Sequence, residues 1–173
     1  MNNQILKVVF SNYEILKDSI KVARRSINNE LYQLHNRTVF LGEQKNQMLD
    51  RISDVETELD DIMILSLFAS FERELRISIQ STIDSHANKP NPTLHRLIAL
   101  TTESIERWTV SDMIDALSDV VAENIRGRVK QIYEYRNWVA HGKNQARVPS
   151  IRTDPKTVQI TLLDFILQAN NAI

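Results

Sequence analysis

Cysteine is absent from the 173 residues, which excludes disulfides, a thiolate nucleophile and cysteine-ligated zinc. Glycine occurs three times and proline four, and so few breakers lead to an expectation of long uninterrupted helices. Charge of neither sign dominates, because 21 Lys and Arg stand against 22 Asp and Glu for a formal net charge of -1. Bulk basicity therefore does not announce nucleic acid, although a local basic groove can hold phosphates while acidic helices elsewhere cancel the total. No apolar run has the length that spans a bilayer, and the opening MNNQILKVVFSNYE lacks a basic start followed by an apolar stretch. Neither a membrane segment nor a signal peptide is expected, and the expected location is the cytoplasm. The four histidines fall at 35, 86, 95 and 141, no two of them at a zinc-site spacing, so no metal or cofactor is expected. His35, His86 and His95 sit near helix ends or loops, where solvated side chains are the expectation.

What is present reads as one all-α domain over residues 1–173, a compact bundle of about five to six helices. The hydrophobic share is 42% and the charged share 25%, an ordinary globular balance. Ile5, Val8, Val9, Ile15, Leu16, Ile20, Ala23, Ile27, Leu31 and Leu34 recur at helical spacing, which predicts one long helix over about residues 3–40. Gly42 marks a break. A second long helix follows from about Gln44 or Ser53 to Ser85, and its middle, IMILSLFASF, is apolar nearly all the way round, as a central core helix should be. HANKPNPTLHR reads as a loop, and TLHRLIALTTESIERW as one or two short helices. TVSDMIDALSDV opens another helix, with Ser111 as the expected N-cap followed by Asp112. A late helix is expected from Asp119 to His141, with Gly142 at the left-handed C-cap position, and a closing helix begins near Pro155. The alternative for RVPSIRT, between these two, is a small sheet.

On the late helix, Val121, Ile125, Val129, Ile132 and Val139 fall on one narrow stripe at 100° per residue, and Arg136 falls in its middle. A guanidinium on a core-facing stripe needs a partner, because an unpaired buried charge is very costly. Glu72, at the end of the apolar run in LFASFERELR, is the candidate. The other reading is an arginine that packs its stem and reaches water. His141 follows five residues later, about 140° around an ideal helix, whereas Asn137 and His141 are four apart and nearly aligned. One phosphate could meet both Arg136 and His141 if the last turn distorts, if the arginine reaches around, or if two copies of the helix end meet.

Histidine carries a mobile proton near neutral pH, and arginine is a fixed fork that matches phosphate. Together they fit metal-independent cleavage of RNA. In that chemistry His141 takes a proton from the ribose 2′-hydroxyl or gives one to the leaving 5′-oxygen, and Arg136 stabilises the charge that builds on phosphorus. Lys143 and Arg147 flank the motif and are candidates for holding the RNA backbone. Trp108, Trp138, Tyr133 and Tyr135 could stack on bases, or serve as core or dimer contacts.

The segment RNWVAHG resembles the R-N-x-x-x-H motif of the HEPN superfamily, all-α domains that include ribonuclease toxins of toxin–antitoxin and antiviral systems. The order of elements is similar too, with the motif late in a bundle of about five helices and one helix after it. The acid after an apolar run in FASFERELR is similar to the second long helix of several HEPN branches. The resemblance implies a homodimer in which paired Arg136 and His141 line one cleft, with Asn137 orienting the site and RNA cut without metal to a 2′,3′-cyclic phosphate. It also implies a toxin or abortive-infection effector, with a cognate antitoxin or sensor protein as a possible partner. In one branch the toxin is silenced by nucleotidylation of a tyrosine two residues after the histidine. Lys143 stands there, so that control is not expected. The alternative expectation is a non-catalytic helical interaction or nucleotide-binding module in a defence or nucleotidyltransferase complex.

Overall fold

The computed structural model of the chain describes residues 1–87 and 107–170. Five α-helices fall within them, α1 (Gln4–Asn28), α2 (Lys45–Ala87), α3 (Val110–Asp115), α4 (Glu123–Ala140) and α5 (Pro155–Asn170), with 3-10 turns at Tyr32–His35 and Gln145–Arg147. No strand occurs among the described residues, so the segment around RVPSIRT is irregular chain and not a sheet. The fold is the expected all-α bundle with two long N-terminal helices packed together. The expected loop at HANKPNPTLHR lies outside the described residues from position 88 on, and so do the short helices of the following segment up to position 106.

α2 is the spine. Its 43 residues run about 65 Å at 1.5 Å per residue, and α1, α3, α4 and α5 all pack on it. α1 lies antiparallel to it, since rising numbers on α1 meet falling ones on α2. The Asn2 amide donates to Glu74, the Tyr13 hydroxyl to Asp60, and Lys17 and Arg24 both pair with Glu56. Met63, Ile64, Leu67, Phe68, Phe71 and Leu75 form the buried face of α2, with Phe71 edge-on to Phe165 at 5.2 Å and Tyr133 stacked on Phe68 at 5.5 Å. The run is not buried all round, because Ile62 is 57% exposed.

The ends of the helices differ from the sequence expectation in three places. α1 stops at Asn28 and not near residue 40; Glu30 at φ 57° turns the chain, and Leu31 and Leu34 lie on the surface. α3 is capped by Thr109 and not by Ser111. Thr109 accepts from the Asp112 amide at 3.2 Å while Asp112 accepts from the Thr109 amide at 2.8 Å, a reciprocal box that needs the acid three residues after the cap. α4 begins at Glu123 rather than Asp119, after a tight turn through residues 116–121, and the Ala122 amide is taken by Gln168 of α5 at 2.8 Å.

His35 is buried rather than solvated, at 5% exposure, between the rings of Tyr32 and Phe40 and within 3.3 Å of the Ser26 hydroxyl. The side chains of His86 and His95 lie outside the described residues. The hydroxyl and aromatic neighbours give His35 a polar contact and a packed site, which is how a histidine enters a core. Among the described residues, no helix is long and apolar enough to cross a membrane.

Candidate active site at the end of the fourth helix

α4 ends on the motif. Its last turn closes as a Schellman cap, in which the Gly142 amide donates to Val139 O at 3.1 Å and the Lys143 amide to Trp138 O at 2.9 Å. Gly142 takes φ 77°, the conformation that makes glycine the natural residue here. His141 is the C-cap, its amide bonded to Asn137 O at 3.0 Å and its side chain exposed. The imidazole makes no hydrogen bond among the described residues, and its ring is open to whatever approaches the helix end.

Arg136 is half-buried, and the inward position at this level of α4 belongs instead to Tyr135. One guanidinium nitrogen donates to the Asn137 side-chain oxygen at 2.9 Å, and Nε is buried with no partner among the described residues. Asn137 thus touches the arginine directly, a contact between neighbours that the helical wheel gives no reason to expect. Glu72 does not pair with Arg136. It pairs with Arg76, one turn along α2, at 3.1 Å, and the Arg76 guanidinium also donates to Trp108 O at 3.1 Å. An i,i+4 acid and base on one helix face meet without any help from a neighbouring helix, which is why the local partner wins. Arg136 is left with no acidic partner among the described residues.

Lys143 already has an acidic partner within the chain. Its ammonium forms an ion pair with Asp61 of α2. Asp61 is 6% exposed, and its other oxygen accepts from the Tyr135 hydroxyl at 2.8 Å. Burial and this hydrogen bond push the Tyr135 phenol up to about 12, because ionisation would set a second negative charge against the carboxylate. Arg147 is exposed in the 3-10 turn and has no side-chain partner among the described residues, so it remains available to a phosphate.

Three carboxylates that sequence reasoning missed, Asp60, Asp61 and Asp154, line a cleft of about 340 Å³ beside the motif, with Arg152, Tyr135, Trp138 and Lys143. Its carboxylates are engaged within the protein. Asp60 accepts from Tyr13 at 2.6 Å and Lys17 at 3.1 Å, and Asp154 caps α5 through the Lys156 and Thr157 amides at 3.0 and 3.1 Å. Burial alone would raise Asp154, but the Thr157 and Lys156 donors outweigh it and hold the carboxyl below its ordinary range. Among the described residues, no group of three or more His, Cys, Asp or Glu could hold a metal ion. Tyr135 and Trp138 pack at 5.7 Å, and the Trp138 indole N–H donates to Asn144 O at 2.9 Å, so both aromatics build the site rather than waiting for a base.

Comparison with protein-family models, with curated proteins and with solved structures finds no match.

Proposed function

We propose that the protein is a metal-independent endoribonuclease of HEPN type. On this reading it acts as a cytoplasmic toxin or antiviral effector under the control of a cognate antitoxin or sensor protein. The observation that carries the proposal is a pair of groups at one helix end: Arg136, whose charge no acid among the described residues balances and whose Nε has no partner among them, and His141, whose ring is exposed. A guanidinium without a carboxylate is suited to a phosphate. In the proposed reaction a His141 ring takes the 2′-hydroxyl proton, the 2′-oxygen attacks phosphorus and the 5′-oxygen leaves with a proton, so the product is a 2′,3′-cyclic phosphate. One histidine cannot take and give protons on opposite sides of the same phosphate at once, so on this reading a second protomer supplies the other role. Arg136, oriented by Asn137, stabilises the charge on the non-bridging oxygens.

Incubation of the purified protein with bulk RNA in EDTA, alongside His141→Ala and Arg136→Ala, tests the proposal. Loss of cleavage in both variants is the expected result. Cleavage that persists in both, or that appears only with magnesium, rejects it.

The second reading, a non-catalytic interaction module, is favoured by a different feature. Leu16, Ile20, Ala23, Phe40, Ile52 and Val55 line an apolar groove of about 470 Å³ between α1 and α2, away from the motif. An apolar groove of this size on a two-helix face suits a partner's side chains. Absence of RNA cleavage by a dimeric wild-type protein would leave this reading standing.

A further inference from the structure

We propose that Asp61 is the positioning residue of the site: it ties the turn that carries His141 to the central helix α2, and so sets where the imidazole stands. The proposal rests on reading His141 as the proton-transfer group. Asp61 is not part of the R-N-x-x-x-H stretch and lies 74 residues before Tyr135 in the chain.

His141 has no side-chain partner of its own among the described residues, so its ring can be placed only by its backbone. That backbone is a turn with two consecutive left-handed residues, Gly142 at φ 77° and Lys143 at φ 58°. Glycine adopts this conformation freely, but a lysine is strained in it. The turn therefore needs something to hold Lys143 in place. Two contacts do so from different elements. On the α4 side the Trp138 indole holds Asn144 O at 2.9 Å. On the α2 side the Asp61 carboxylate holds the Lys143 ammonium.

Asp61 is suited to the task because it is buried and held by a hydrogen bond. It projects from the middle of a 43-residue helix and is 6% exposed, with one oxygen fixed by the Tyr135 hydroxyl at 2.8 Å. Tyr135 is itself buried in the main core and adjoins Arg136 in sequence. One carboxylate thus couples the helical turn that bears Arg136 to the loop that follows His141. The neighbouring acids do not share the role: Asp60 is taken by Tyr13 and Lys17, and Asp154 by the start of α5. With these acids engaged elsewhere, Asp61 is the carboxylate of the polar cleft that braces the turn.

The test uses Asp61→Asn, Lys143→Met, the double variant and Lys143→Arg. Asparagine keeps an oxygen for Tyr135 and removes only the charge, and Lys143 is partly exposed, so all four should fold. Two readouts are taken on the full-length protein. The first is amide hydrogen exchange at Lys143, whose N–H closes the Schellman cap, with Val129 in the core as reference. Asp61→Asn and Lys143→Met should each speed exchange at Lys143 about tenfold or more without changing Val129, and Lys143→Arg should restore it. The second is metal-free RNA cleavage. kcat should fall by about ten- to a hundredfold in each single variant with KM unchanged, as expected for misplacement of a catalytic group by about an ångström. The double variant should be no worse than either single one, because the two changes break one contact.

Unchanged exchange at Lys143 in both single variants overturns the proposal, and so does a rise in KM with kcat intact, which would return Lys143 to RNA contact. A wild type that cuts no RNA would reject the ribonuclease reading alone. The exchange result then still decides the brace: faster exchange sustains it and unchanged exchange overturns it.

Discussion

Replacing Tyr135 by phenylalanine removes one oxygen from the interior and leaves the ring in place, so it isolates the bond from the phenol to Asp61. A hydroxyl donating to a buried carboxylate contributes about 1.5–3 kcal/mol, and Lys143 remains to balance the carboxylate charge. At pH 7 the variant should therefore be less stable by about 1.5–3 kcal/mol. The informative quantity is how that difference changes with pH. The phenol is held up to about 12 in the folded protein, against an ordinary value near 10. The folded pKa is raised, so the contribution is fully present below pH 10 and is lost as pH rises through about 12, where the unfolded chain has already released its proton. Two pKa units correspond to about 2.7 kcal/mol as an upper bound, and screening in an open cleft reduces this to about 1–2 kcal/mol. Urea unfolding of both proteins between pH 8 and 12 measures the gap, and tyrosinate absorbance at 295 nm follows the ionisation. The wild-type minus variant difference should titrate near pH 12, with the stability gap narrowing above pH 10. A difference that titrates at pH 10, or a gap that stays constant to pH 12, refutes the reasoning.

Two further perturbations probe the frame around the site. Phe71→Ala removes a fully buried ring that lies edge-on to Phe165 and 5.6 Å from Phe68; it should cost about 3–5 kcal/mol and lower Tm by roughly 2–4 °C per kcal/mol in a chain of this size, which calorimetry would read directly. Gly142→Ala meets no atom within 4 Å at its new Cβ but must hold φ 77°; a loss of about 1 kcal/mol in denaturant unfolding is expected, with a larger fractional effect on RNA cleavage than on stability because the strain falls beside His141.

The bundle was legible because its signals are local. The apolar run of α2 and Gly142 after the late helix each specify a helix or its end from a few residues. The cap of α3, expected at Ser111, belongs instead to Thr109, whose acid three residues on completes the box. Leu31 and Leu34 misled because helical spacing continues past Asn28 while the backbone does not; the turn at Glu30 carries no glycine to announce it. Of the site, Arg136, Asn137 and His141 could be found from their own segment. The partners could not. Asp60 and Asp61 carry no motif that singles them out, and side chains 100° apart on one helix face different neighbours: one meets α1 through Tyr13, the other α4 through Tyr135. Lys143 looked like an exposed cation beside a motif, and only the packing of α4 on α2 turns it inward.

The same packing explains why Arg136 is left uncompensated. Three acids of α2 are each drawn to another donor, Asp61 to Tyr135 and Lys143, Asp60 to Tyr13 and Lys17, and Glu72 to Arg76. A carboxylate beside Arg136 would stabilise the fold, since a half-buried guanidinium with an unpartnered Nε is a standing cost. It would also compete with any phosphate for the same fork. On the proposed reading, a chain that leaves this guanidinium without an acid while satisfying the lysine two residues past His141 is arranged as a ribonuclease would need: the turn is braced by the Asp61–Lys143 pair, and the charge that balances Arg136 would arrive with the RNA.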